Sequence, residues 1–246
     1  MARALPLERG RNIGRLLGSL AWHLVRHERN KALRNIARAF PDWPDSRRRD
    51  TVREMFRHLG QNLMEMLWLL HAPVGERMRY TVVENAAPLL EVIRAGRGIV
   101  AFTGHCGNWE WTAATVSALG IPLWAMQRER DERELNDFII EYRRRIGIGT
   151  IDRGSERSGR ELIRTLRNGG MIGMLIDQNI RAESAKVPFF GIPALTPIGP
   201  ARLAIRTGSP VVAVFSMRRD GKHHVRFTDP IETTRDDDPV ALTARI

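Results

Sequence analysis

His105 and Glu110 are the two residues of this 246-residue chain whose types and spacing most directly suggest chemistry. An imidazole titrates near neutral pH, and a carboxylate on its far nitrogen fixes the tautomer and raises its basicity. A base held in this way takes the proton from an alcohol. Five positions apart on a continuous α-helix, the two side chains would point roughly 140° away from each other. They meet only where the chain bends between them, and Gly107 is the residue that permits a bend. The surroundings supply a turn. Ile99 to Phe102 is a short apolar run between Gly98 and Gly104 and reads as a buried strand, while Trp111 to Leu119 reads as a helix stopped by Gly120. Cys106, the single cysteine, excludes an internal disulfide and fits a reducing compartment. As a nucleophile it is the weaker reading, because adjacent side chains rarely face each other as a Cys–His pair must.

The heptapeptide Gly104-His105-Cys106-Gly107-Asn108-Trp109-Glu110 resembles the signature of the bacterial lipid A biosynthesis acyltransferases, the late or secondary acyltransferases of the lysophospholipid acyltransferase superfamily. That signature is a histidine, four residues and an acid, with Gly-Asn-Trp between. The similarity runs from about Arg34 to about Glu232. It includes Asn35-Ile36-Ala37-Arg38-Ala39-Phe40-Pro41, Asp177-Gln178, and Val187-Pro188-Phe189-Phe190-Gly191 followed by Thr196 and Gly199.

The resemblance implies transfer of a fatty acyl chain from an acyl carrier protein thioester, or less often acyl coenzyme A, to a hydroxyl of a membrane glycolipid such as a lipid A precursor. By the same resemblance His105 is the general base and Glu110 the residue that orients it. Asn108, Arg128, Arg153 and Asp177 are then substrate-binding candidates, the two arginines gripping phosphates through forked hydrogen bonds. No cofactor beyond the thioester co-substrate is implied, and no acyl-enzyme. The expected place is the cytoplasmic face of the bacterial inner membrane, peripheral or N-terminally anchored. A sister branch that acylates phosphatidylinositol mannoside, or another lysolipid acyltransferase, is the alternative within this chemistry. An alternative of a different class is a non-catalytic basic protein docking on anionic membrane or nucleic acid.

Charge narrows the partners. The net charge is +11, and the first sixty residues carry 14 Lys/Arg against 6 Asp/Glu, a surplus of 8. One end of the molecule is therefore drawn to anionic partners, and a bilayer surface is favoured because no nucleic-acid module is recognisable. Metal is not expected: His223 and His224 fall on a predicted strand, where neighbours face opposite ways.

The elements that must position these residues follow from periodicity. Residues 1–30 are read as a basic, amphipathic, membrane-proximal segment, and 31–246 as one α/β acyltransferase domain whose C-terminal helical end is expected to be truncated. Ile13, Leu16, Leu17, Leu20 and Leu24 share one helical face, too short to span a bilayer and better suited to lie in the headgroup region or to pack on the domain. A second helix ends at Pro41. A third, with Val52, Met55, Phe56, Leu59, Leu63, Met66, Leu67 and Leu70 in 3.6-residue register, is expected to bury that stripe. Val82 to Leu90 is ambiguous. Beyond it strands and helices alternate: strands at 122–126, 148–151, 171–176, 211–217 and 224–228, with helices over 135–146, from a capping box at Ser158 and Glu161 to about Arg167, and up to Gly208. Alternation implies a central mixed sheet flanked by helices, with His105, Arg128 and Asp177 at the carboxyl ends of strands, where open α/β sheets gather their sites. Phe189 and Phe190 are read either as core or as the lining of an acyl groove.

Overall fold

The computed structural model describes residues 5–128, 132–154, 157–180 and 182–246, so the first four residues of the expected 1–30 segment lie outside it. The chain forms two compact units, Met1–Ala72 with Pro188–Pro193, and Pro73–Val187 with Ala194–Ile246.

The second unit is the α/β domain. The described strands of the chain in order are β1 (Thr81–Glu84), β2 (Ile99–Thr103), β3 (Leu123–Arg128), β4 (Ile148–Arg153) and β5 (Met171–Leu175), then the hairpin β6 (Ser184–Phe189) and β7 (Ile192–Pro197), whose tip Pro188–Pro193 is counted with the first unit, then β8 (Val211–Arg219) and β9 (Lys222–Phe227). Seven of them pair in the order β1-β9-β8-β2-β5-β3-β4, and β6 pairs with β7 in a separate two-stranded sheet. The run β8-β2-β5-β3-β4 is parallel throughout, whereas β9 is antiparallel to β8. The sheet is therefore mixed, as alternation of elements implied. The central strands are apolar on both faces, as burial between helix layers demands: Ile99, Val100, Ala101 and Phe102 of β2 are all buried. Val100, Phe102, Ile172, Met174, Val211 and Ala213 form one core face with Leu162 and Leu166 of the helix Ser158–Arg167 and Ala201 and Ala204 of the helix Gly199–Thr207.

In the first unit the helices are α1 (Leu7–Leu24), α2 (Arg26–Ala39) and α3 (Asp45–Leu69). α1 and α3 run antiparallel in close contact because Gly14 and Gly18 lie on the backbone of Gly60, Gln61, Phe56 and Arg57, where a Cβ would collide. Trp22 meets Phe56 edge-on at 5.9 Å and, with Val52, makes a small core closed by Leu33 and Ile36 of α2. Arg15–Glu54 and Arg11–Glu65 ion pairs line one side of the seam. The apolar residues of both helices are turned about 110° the other way around their axes. On that side Ile13, Leu16, Leu17, Leu20 and Leu24 of α1 and Met55, Leu59, Leu63 and Leu67 of α3 are exposed, Leu16 at 71%. The expectation that the long α3 stripe is core is thus corrected. The glycine seam lets α1 take the Phe56–Gly60 side, and the rest of the stripe is left facing outward. Among the described residues no helix is long and apolar enough to cross a membrane.

The remaining helices are α4 (Val74–Arg79), α5 (Ala87–Arg94), α6 (Trp109–Ala118), α7 (Arg133–Arg145), α8 (Ser158–Arg167), α9 (Gly199–Thr207) and α10 (Pro239–Arg245). The ambiguous Val82–Leu90 stretch divides into β1 and the start of α5. Ser158 opens α8 as its first residue, with Arg157 in the cap position, rather than capping it.

Candidate active site

β2 and β5 are neighbours in parallel register, with Thr103 opposite Leu175. Two residues past each strand end stand His105 and Asp177, so the register itself brings them together. The His105 ring Nδ1 lies 2.7 Å from Asp177 Oδ1, and the His105 backbone N–H donates to Asp177 Oδ2 at 2.6 Å. Gly104 is small where it must be, because a Cβ there would meet the Asp177 carboxylate at 3.1 Å. The two bonds fix both the ring and the loop that carries it.

Burial pushes the Asp177 carboxyl up, but the hydrogen bonds from the His105 ring and backbone, with attraction to the imidazole, outweigh it and hold the acid below its ordinary value. An ionised Asp177 accepts from Nδ1–H, which leaves the Nε2 lone pair of His105 facing outward. That nitrogen has the Gln178 amide nitrogen 3.5 Å away, at the outer limit of a hydrogen bond, and the ring stands edge-on to Trp109 at 5.1 Å. Cys106 is exposed, and desolvation followed by the charge of Asp177 pushes its thiol up, which disfavours the thiolate.

Glu110 does not orient His105, and that expectation is corrected. Asn108 caps α6, its side chain accepting from the Trp111 N–H at 3.0 Å, so Glu110 is already inside the first helical turn and points into the protein. There it is buried and meets Arg143 of α7, with Nη2 2.7 Å from Oε1 and Nε 3.4 Å from Oε2. Arg143 Nη1 also donates to Gln127 Oε1 at 2.9 Å, and Gln127 Nε2 donates to Asp152 Oδ1 at 3.0 Å. One chain of polar contacts thereby ties α6, α7, β3 and β4 together beneath the site. Nothing in the spacing announced Arg143; the only hint was a carboxylate bound for burial, which requires a cationic partner.

Gly107 does bend the chain, with φ at +61°, and it also presses against the Ser216 carbonyl oxygen of β8, where a Cβ would collide. Ser216 Oγ holds the loop from the other direction, accepting from the Asn108 N–H and donating to its carbonyl, each at 3.2 Å. Asn108 is therefore fully engaged in building the turn, with 2% of its surface exposed. Arg128 and Arg153 are register partners at the carboxyl ends of β3 and β4. The strand order β2-β5-β3-β4 puts His105, Asp177, Arg128 and Arg153 along one edge in succession. Phe189 and Phe190 are each 57% exposed, and Phe190 packs on Phe40 at 5.2 Å within the first unit. Among the described residues no group of His, Cys, Asp and Glu could hold a metal ion.

The arrangement is a base–acid pair with its reactive nitrogen open and cations farther along the same edge. The family profile described as "Bacterial lipid A biosynthesis acyltransferase" covers residues 1–246. A protein of Mycolicibacterium smegmatis named phosphatidylinositol mannoside acyltransferase is 25% identical over 220 residues, covering 87% of this chain and 70% of its own length. One from Mycobacterium tuberculosis with the same name is 30% identical over 128 residues, 48% of this chain and 38% of its own. A lipid A biosynthesis acyltransferase of Haemophilus influenzae is 28% identical over 251 residues, covering 98% of this chain and 78% of its own length.

Proposed function

From the premise that this chain belongs to the bacterial lipid A biosynthesis acyltransferase family and is an O-acyltransferase of that type, we propose that His105, held by Asp177, moves a fatty acyl chain from a carrier-protein thioester to a hydroxyl of a membrane glycolipid. The observation that carries this reading is the His105–Asp177 pair at adjacent strand ends, with Nε2 directed outward.

Nε2 takes the hydroxyl proton as the acceptor oxygen attacks the thioester carbonyl. Asp177 keeps Nδ1 protonated and offsets the imidazolium that results. The tetrahedral oxyanion forms near the N-terminal end of α6, whose first turn begins four residues after His105 and carries the positive end of the helix dipole. Collapse breaks the carbon–sulfur bond, and the thiolate leaves with the proton from His105. Arg128 and Arg153 bind phosphate groups of donor or acceptor. Glu110 serves the site at one remove, by fixing α6 against Arg143.

The enzyme works at a bilayer surface, on the cytoplasmic face of the inner membrane. The exposed leucine side of α1 and α3 supports this, since it gathers nine large apolar side chains on one face of a unit with a cationic surplus. Two acceptors fit the relatives' names, a lipid A precursor and a phosphatidylinositol mannoside; both offer a sugar hydroxyl near a phosphate. Incubation of purified protein with acyl carrier protein thioester and each lipid, followed by mass spectrometry, tests the reading. The expected result is one added acyl chain on one of the two. Absence of acyl transfer to either, or full activity in His105→Ala, overturns it.

A further inference from the structure

Between helix α8 and the outer strands β3 and β4 lies a cavity of ≈500 Å³, walled by Trp124 and Ile151 on the sheet side and by Glu161, Arg164, Thr165 and Asn168 on the helix side. Pro122 and Gly170, which precede β3 and β5, also line it, so it lies toward the amino ends of the strands. It is therefore remote from the catalytic edge: Trp124 stands four residues, roughly 13 Å, back along β3 from Arg128.

The helix side holds polar groups that the protein leaves unused. Thr165 is buried, with 8% of its surface exposed, yet its hydroxyl has no hydrogen-bond partner among the described residues. The helical threonines Thr112, Thr115, Thr207 and Thr243 each donate to the carbonyl four residues earlier, and Thr165 does not. A buried hydroxyl left in this way costs roughly 1–3 kcal/mol unless a molecule in the cavity supplies a partner. Glu161 and Arg164 are three apart on the same helix, the spacing at which Asp45–Arg48, Glu54–Arg57 and Glu141–Arg144 close ion pairs. Glu161 and Arg164 do not close theirs, and neither has another ion-pair partner among the described residues. The sheet side is aromatic. The indole of Trp124 lies face-on to the Gly149 backbone, where a Cβ would fall 2.3, 2.4 and 2.8 Å from three atoms of its five-membered ring, and its far edge reaches Gly170. Glycine at both positions gives the ring room to lie flat as a wall of the cavity.

We propose that this cavity is a binding site for an acidic monosaccharide, one hexose ring bearing a single phosphate or carboxylate. The ligand class follows from the walls. The slightly positive C–H face of a sugar ring packs on the negative face of an indole. Ring hydroxyls donate to Glu161 and exchange hydrogen bonds with Thr165 and Asn168. Arg164 binds the anionic group through a forked pair of hydrogen bonds, for which its open spacing from Glu161 leaves it free. One carboxylate beside one guanidinium repels a chain of phosphates, which disfavours a nucleoside di- or triphosphate. The volume of ≈500 Å³ falls within the range of about 300–1,000 Å³ for small-molecule sites. The same sugar chemistry comes free or as the head group of a glycolipid. This site is separate from the acyl-transfer reading, since a ligand here does not occupy the place of the attacking hydroxyl.

Isothermal titration of the full chain with glucose 6-phosphate and with glucuronate tests this, with glucose and inorganic phosphate as controls. A second arm measures binding to phosphatidylcholine vesicles with and without lipid A, whose head group is a phosphorylated sugar. The expected result is an acidic sugar bound roughly tenfold or more tighter than either control, weakened about tenfold in Arg164→Gln and severalfold in Thr165→Val, and unchanged in His105→Ala. Arg164 is exposed and Thr165→Val removes only a hydroxyl, so melting temperatures measured alongside should stay parent-like. Binding in solution assigns the site to a free sugar; binding seen only with lipid A vesicles, and lost in Arg164→Gln, assigns it to a head group. No binding in either arm, equal affinity for inorganic phosphate, or unchanged affinity in both variants overturns the proposal. So does loss of binding in His105→Ala, which moves the sugar to the catalytic edge. Failure of the acyl-transfer reading looks different, since it leaves these titrations as they are and removes only turnover.

Discussion

The carboxylate of Asp177 is joined to His105 by two hydrogen bonds, one at the imidazole Nδ1 and one from the backbone N–H, across a separation of 72 residues. Neither residue sits on a strand. Each lies two positions beyond the end of one, and the parallel register Thr103–Leu175 makes them opposite neighbours. The same carboxylate binds the ring and the backbone N–H of His105, so it sets the position of the ring as well as its tautomer.

Removing either member therefore removes catalysis by different amounts. His105→Ala should abolish acyl transfer, and Asp177→Asn should lower kcat by about 10²–10⁴-fold, the range for losing general-base function or its correct tautomer. KM for the thioester should change little in both. Steady-state kinetics with purified variants checks this, and Asp177→Asn with parent-like kcat sinks the pairing as the catalytic device.

Acid should weaken the fold through the same carboxylate. The folded-state pKa of Asp177 is depressed, so its contribution to stability is fully present above the unfolded value of about 3.9 and is lost as pH falls through the folded value. Urea titrations between pH 6 and 2.5 should show the parent losing stability relative to Asp177→Asn below about pH 4. Parallel curves for the two proteins would contradict this.

Glu110 and Arg143 make a structural prediction. Glu110→Ala leaves the Arg143 guanidinium buried without its carboxylate, a loss of roughly 3–5 kcal/mol. Activity should fall together with the melting temperature. Glu110→Gln, which keeps a hydrogen-bond acceptor, should retain a parent-like pH profile of kcat, because the base at His105 is oriented elsewhere. A shifted pH profile would instead return Glu110 to the acid–base chemistry.

Gly107→Ala combines a left-handed backbone with a Cβ aimed at the Ser216 carbonyl. The backbone alone costs about 1–2 kcal/mol, and the collision forces β8 and the His105 turn apart. Thermal melting should show the loss, with kcat reduced more than stability accounts for. Parent-like values in both measurements would show that the turn relaxes freely.

The leucine face should separate folding from membrane binding. Leu16→Gln with Leu63→Gln alters two exposed residues on neighbouring helices, at 71% and 52% exposure, so the melting temperature should change little. Partition onto vesicles containing anionic lipid should drop severalfold in a sedimentation assay. A melting loss with intact partition would mean the face is packed in solution.

Much of this was written in the order of residues. The apolar runs bounded by glycine gave the strands of the parallel sheet, and "Gly-His-Cys-Gly-Asn-Trp-Glu" gave the bend and the family, because each rests on local sterics or on spacing along one segment. The partner of the base was not local. Glu110 is near in sequence but enters α6 behind the Asn108 cap and turns inward to Arg143, whereas Asp177 becomes a neighbour only when β5 pairs with β2. The α3 stripe shows the same division. Its period declares an amphipathic helix, but whether leucine meets core or water depends on which face the glycine seam with α1 occupies. Periodicity and backbone rules act within a segment, so the chain alone determined them; pairing of charges and the covering of apolar faces are contacts between segments, and only the tertiary structure decides those.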